Sequence, residues 1–361
     1  MAVNCSVDFE EFCRLGICSV DFEEWPCQAR IYLLQIQPFV NLVRFLLLNV
    51  TPFIIIFGVI LNVVSFSMLS TVILCDSGLS LYLRALAISD NGALFNYAVG
   101  IARHYSTSIN TLYMNSRFLC GLNSIFMEFF QITSTNLVVS LTWTRVGAII
   151  FPLKSISKNH NRNATVTIVV LTCISFLVSL TKLFSGGYES DSVFEYKTCQ
   201  KVATPWGSTM YIYIAFSSWL PSVFIFIGNV LLIIHMKKSE LIRTQMTCTH
   251  RNNTFSSSRT SRTLLAVSIV YLILLLPIGF IETLELYWDV VLTKSPSTNP
   301  TENDLYIKWL QEKMLLKWCR GLCFHIYHWN FAINFFLYYL TGKKFRDRVI
   351  DIMSITRFRN F

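Results

Sequence analysis

Few side chains in this sequence can do chemistry, and most of those stand inside apolar runs. Asp90 lies in LYLRALAISDNGALF, Asn62 in FGVILNVVSF, and Ser134, Asn136 and Ser140 in QITSTNLVVSL. A polar group surrounded by hydrocarbon must turn inward and find partners, because burying it unpaired costs roughly 2–7 kcal/mol. Asp90 with Asn62, Ser134 and Asn334 therefore fits two chemistries: a hydrated cation or proton site, or a neutral packed hydrogen-bond network. Glu128, Lys182, Glu282 and Glu285 form a second set among many aromatic residues. An acidic, aromatic-lined cavity suits a cationic peptide side chain such as Arg, and the same groups are equally suited to pairing between helices, with Lys182 or Arg320 as partner. Arg145, in LTWTRVGAIIFPL, ends an apolar run, where a guanidinium either snorkels or changes partners between two states.

None of these sets completes an enzyme. Asp90 and Glu128 are far apart in sequence and have no nucleophile and base beside them. His104, His160, His235 and His250 fall in no catalytic pattern, and Cys319 and Cys323 beside His325 and His328 lack a compelling fourth metal ligand. The expectation is a protein with no catalytic residues and no metal centre.

The elements that carry these residues follow from composition. The 361 residues are 53% hydrophobic and 14% charged, against roughly 25% charged in a soluble domain. Seven apolar runs recur at about 45–69, 81–102, 118–142, 164–184, 210–235, 263–287 and 318–341. Each is long enough for a helix to cross a bilayer, and none alternates in the roughly ten-residue segments of a membrane strand. The expected fold is all-α, a seven-helix membrane bundle over 45–341, with an N-terminal segment at 1–44 and a short tail at 342–361. Pro221 and Pro277 permit bends within two of the helices.

More than half of the 30 Lys and Arg fall in the connections near 70–80, 143–163 and 236–262, at the adjoining helix edges and in the tail, against only four acids, Asp76, Glu240, Asp347 and Asp351. That asymmetry predicts a plasma-membrane protein with its N-terminus outside and its C-terminus in the cytoplasm. It also removes the reason to connect a net charge of +9 with nucleic acid. In this topology Asn4, in Asn4-Cys5-Ser6, is the credible glycan acceptor, and Cys5, Cys13, Cys18 and Cys27 are placed to form disulfides. The 342–361 tail alternates basic and apolar groups, the pattern of a short interfacial amphipathic helix.

GVILN at 58–62, LAISD at 86–90, Cys120, Arg145 followed by PL at 152–153, Pro221, Pro277 and NFAINFFLYYLTGKKFR at 330–346 occur in an order that resembles a rhodopsin-like G-protein-coupled receptor. Within that family the chain looks like an invertebrate peptide receptor of the FMRFamide type, over about 45–350. The resemblance implies that Asn62, Asp90, Ser134 and Asn334 share a polar network with a possible sodium ion near Asp90, and that Cys120 pairs with Cys199. It implies that activation passes through Arg145, Asn229, Tyr271, Pro277, Asn334 and Tyr338, with Asn334-Phe335-Phe336-Leu337-Tyr338 as a switch in which Phe335 replaces Pro.

Several positions depart from the family pattern. Thr144 stands where an acid would pair with Arg145, Leu275 where a Trp would line the pocket, and Asn229 where a Tyr is expected. These departures predict either a weakened inactive-state lock with raised basal activity or impaired coupling. Met127 occupies the place of the Asp that binds amines, so the resemblance implies a short basic or amidated peptide ligand, with a heterotrimeric G protein, and a receptor kinase or arrestin, as partners. The alternatives are a membrane transporter or channel, and a peptide-binding membrane protein that does not couple to a G protein.

Overall fold

The computed structural model describes residues 26–71, 78–150, 160–181, 213–246, 255–292, 294–295, 297, 299–341 and 345–351. Asn4, Lys182, Cys199 and the side chain of Cys120 lie outside the described residues, and with them the expected glycan and the Cys120–Cys199 pairing.

Every regular element among the described residues is helical. Helix α1 (Cys27–Gln35) leads into α2 (Gln37–Phe45), which passes through a π-helical turn at Leu46–Val50 into α3 (Thr51–Leu69). There follow α4 (Gly78–Tyr105), α5 (Thr107–Asn115), α6 (Arg117–Ile150) and α7 (His160–Ser179). A second π turn, Ala215–Trp219, opens α8 (Leu220–Met246), and α9 (Phe255–Val290), α10 (Pro300–Ala332) and α11 (Asn334–Thr341) complete the bundle. A short helix at 345–351 comes last.

Both π turns are followed within two residues by a proline, Pro52 and Pro221. Proline has no N–H for the carbonyl four residues back, so the ladder widens there. At the first turn the Tyr105 hydroxyl reaches the carbonyl of Leu48, the one Pro52 leaves without its helical donor, at 3.3 Å.

α6 is central, packing on α4, α7, α8 and α9, while α10 closes the ring against α9 and α3. At Gly58 a Cβ would stand 2.9 Å from the Cβ of Ala332, so the residue without a side chain lets α3 and α10 approach closely. Burial is inverted relative to a water-soluble protein. Phe57 and Phe95 are 61% and 67% exposed, whereas Asp90, Ser65 and Ser175 are fully buried. Such an apolar exterior fits lipid rather than water.

Among the described residues four stretches, Gln37–Leu69, Asn161–Ser179, Ala215–Lys238 and Leu264–Val290, are long and apolar enough to cross a membrane. The other three long helices carry charge within them: Arg84 and Asp90 in α4, Glu128 and Arg145 in α6, Lys317 and Arg320 in α10. The chain is an all-α, multi-pass membrane bundle.

The first long helix starts at Gln37, ahead of the apolar run near 45, and α10 starts at Pro300, ahead of the run near 318. These extensions meet. Leu33 of α1, Val40 and Val43 of α2, and Leu310, Met314 and Trp318 of α10 form a second apolar core beside the main one, with the Arg44 guanidinium 5.3 Å from the centre of the Trp318 ring. Cys27, at the start of α1, is disulfide-bonded.

Candidate functional site

The deepest polar layer is centred on Asp90. Ser134 of α6 donates to Asp90 Oδ1 at 2.6 Å, and Asn334 of α11 donates to Oδ2 at 2.6 Å. One carboxylate thus ties α4 to α6 and α11, with both oxygens engaged. Asn62 stands one helix further away: its Nδ2 donates to the Phe331 carbonyl at 2.8 Å. That carbonyl would otherwise serve the N–H of Phe335, and α10 is interrupted just beyond it, at Ile333. A side chain inserted into the ladder gives the break that a proline at 335 would give. Asn62 Oδ1 and Ser65 Oγ are buried without a partner among the described residues. Orphaned polar atoms in one layer are the usual seats of ordered water or a small cation.

Beside this layer, Tyr271 of α9 is 3% exposed and its hydroxyl lies 2.5 Å from Thr135 Oγ1. Tyr327 and Asn330 of α10 also reach the Tyr271 hydroxyl. The Asn330 carbonyl in turn accepts from Asn334 Nδ2 at 3.5 Å. Hydroxyls and amides thereby run from α6 through α9 to α11 without an intervening apolar side chain.

Thr135 and Tyr327 also line a cavity bounded by α6, α9 and α10, together with Glu128, Gln131, Leu275 and Glu282. Met127 lies on its wall. Two of the four expected ligand-binding residues, Glu128 and Glu282, therefore share one cavity. Glu285 does not line it: its carboxylate meets Arg320 at 2.7 Å, both side chains being largely buried. This is the interhelical pairing that the sequence offered as the other role of that residue. It continues as a ladder between α9 and α10, with Lys313 to Asp289 at 2.5 Å and Trp288 Nε1 to Glu312 at 3.1 Å.

At the other end of α6, Arg145 is half-buried and its Nε has no partner among the described residues. The Thr144 hydroxyl turns back onto the Ser140 carbonyl of its own helix. Asn229 accepts from Ser268 at 2.6 Å. Tyr338 is buried with its ring edge-on to Phe345, which anchors the 345–351 helix. Pro277 lies within α9, between Tyr271 and Glu282.

The sequence passed over Gln131, Thr135, Tyr327, Asn330 and Ser268. Thr135 directly follows Ser134 in a polar cluster already noticed, so its signal was present. Gln131 opens the same cluster, Tyr327 and Asn330 stand beside His328, and Ser268 is alone among apolar neighbours; for these last three only packing supplies the partners.

The family model described as 7 transmembrane receptor (rhodopsin family) matches residues 57–338. That stretch contains every residue of the column and both carboxylates of the cavity. The chain is also similar to the neuromedin U receptor homolog nmur-2 of Caenorhabditis elegans, 24% identical over 331 residues that cover 82% of this chain and 78% of that protein.

Proposed function

Starting from a chain that belongs to the rhodopsin family of seven-transmembrane receptors, we propose that it is activated by a short basic or amidated peptide and signals through a heterotrimeric G protein. It is a receptor and not an enzyme, as the members of that family are. The observation that carries the peptide reading is the cavity with Glu128 and Glu282 on its walls and hydrogen-bonding groups, Gln131, Thr135 and Tyr327, beside them. Two carboxylates select a guanidinium or ammonium group, and the neutral polar groups match a carboxamide. The name of the worm relative, a neuromedin U receptor homolog, supports the reading as a ligand-activated receptor. The finer comparison with FMRFamide-type receptors belongs to this proposal.

In this reading the N-terminal 1–44 segment is extracellular and glycosylated at Asn4, Cys120 is bridged to Cys199, and the tail from 342 is cytoplasmic, open to a receptor kinase or arrestin. A sodium ion beside Asp90 favours the resting state. The peptide binds the active state better than the resting one, and this difference in affinity is the whole of its effect. Its contact with Thr135 and Tyr327 biases the Tyr271 hydroxyl cluster, and with it the Asn330–Asn334–Asp90 layer. Pro221 and Pro277 let α8 and α9 rearrange, exposing Arg145 and Tyr338 to the G protein.

The test is G-protein activation in cells expressing the chain, without ligand and then across a library of short basic and amidated peptides. A peptide-dependent response that is lost in a surface-expressed Arg145→Ala variant is expected. Binding with no activation of any G protein would shift the reading to a non-coupling peptide binder, and solute flux through the protein would shift it to a transporter.

A further inference from the structure

We infer that the hydrogen bond between Ser268 and Asn229 is the latch that holds the Arg145 end of the bundle closed, an assignment that rests on the receptor reading above. The case begins with what α6 lacks. Thr144 directs its hydroxyl to Ser140 O and Thr142 directs its own to Val138 O at 2.9 Å, so both hydroxyls are satisfied within α6. Arg145 Nε finds no partner among the described residues. Among the described residues, no ion pair from this helix restrains its neighbours there.

The tie lies between α8 and α9 instead. Ser268 Oγ donates to Asn229 Oδ1 at 2.6 Å, with the two residues 2% and 4% exposed. The preceding residue, Gly228, is packed so closely on α6 that a Cβ would stand 2.6 Å from Thr142 Cγ2. Three helices therefore converge at one level, and the bond across α8 and α9 closes the junction.

Its position relative to the prolines gives it a role in motion. On the far side of Pro221 and Pro277, Trp219 Nε1 donates to Thr283 Oγ1 at 2.8 Å, again linking the stretch before α8 to α9. One tie lies on each side of both prolines. With the Trp219–Thr283 end held, the weakened helix ladders at the prolines allow the segments bearing Asn229 and Ser268 to swing apart.

The bond is also built to let go. The Leu265 carbonyl lies 3.1 Å from Ser268 Oγ, so the hydroxyl has an acceptor on its own helix to turn to when α8 leaves. Asn229 Nδ2 is already buried without a partner among the described residues, and opening exposes it to solvent. The closed state is thus held by one side-chain hydrogen bond and burdened by one unmet donor. Removing such a bond is expected to change the open-to-closed ratio about five-fold.

The experiment needs no ligand. Full-length Ser268→Ala and Asn229→Leu variants, and the double variant, are compared with wild type for ligand-free nucleotide exchange on G protein and for backbone hydrogen exchange across 264–272. Each single variant should raise both about five-fold, the double variant no further, and Ser268→Thr should restore wild-type behaviour. Thermal unfolding of each variant checks that it is folded, and Ser268→Thr remains informative should Asn229→Leu fail to fold. Single variants at wild-type levels in both readouts, or fully additive effects, overturn the latch. Raised hydrogen exchange with no G protein responding to wild type or variants upholds the latch and overturns the receptor reading.

Discussion

The Asp90 carboxylate shows how one residue sets the chemistry of its surroundings. Both of its oxygens accept, one from Ser134 and one from Asn334. Asp90→Asn turns one carboxylate oxygen into an NH2 group, which can face Ser134 and donate to its hydroxyl while the remaining oxygen accepts from Asn334, so both contacts persist but are weakened. Thermal unfolding of the purified protein should show a loss of about 1–3 kcal/mol. If the proposed sodium ion is bound here, the same variant should unfold at equal temperatures in sodium and potassium chloride, while wild type is more stable in sodium. Tyr271 makes a different prediction. Tyr271→Phe removes the hydroxyl shared with Thr135, Tyr327 and Asn330 but keeps the ring packed. Since Tyr271 does not itself line the cavity, agonist affinity should stay within about three-fold while the maximal response falls several-fold, as concentration–response curves would report. The proximity of Asp90, Ser134 and Asn334 was legible in the sequence, because each is a polar residue in an apolar helix and has to turn inward. The Tyr271 cluster was less so, because Tyr271 stands within a long apolar run and nothing there marks which helix its hydroxyl will meet.

Helices were the most legible level, since long apolar runs have few alternatives in a bilayer, but their ends were not. Nothing in hydropathy marks the start of α10 at Pro300 or the packing of α1 and α2 on it, because the apolar residues of those faces recur only at helical spacing, with polar and charged side chains between them, rather than as a continuous apolar run. The Glu285–Arg320 pairing was among those the sequence offered, since Arg320 stands inside the apolar run at about 318–341, but nothing in the sequence chose it over a ligand-binding role for Glu285. The pair is largely buried, so deleting one member leaves a charge without compensation. Arg320→Ala should lower unfolding stability by about 3 kcal/mol, and Glu285→Gln added to it should recover part of that loss. A double-mutant cycle by thermal unfolding measures both, and simple additivity would show that the two side chains do not act as a pair.

On the scale of the whole molecule, two ends with different rigidity face each other across the polar column. The Glu128 end is braced by the α9–α10 ladder and by a second apolar core. The Arg145 end is not braced in that way: Thr144 gives α6 no acid to hold Arg145, and its hydroxyl is directed at its own backbone. Thr144→Asp supplies the missing carboxylate, so ligand-free G-protein activation should fall several-fold; basal activity that stays high would show that an acid at this position does not set the resting state. The second core has a further consequence. Because α1 shares its apolar face with α10, the start of the chain and the helix that continues into Asn334 and Tyr338 are mechanically joined. An antibody fragment that grips α1 would therefore do more than mark the protein: by fixing α10 in place it would act as a handle on signalling itself, damping or sustaining the response without entering the cavity that Glu128 and Glu282 line.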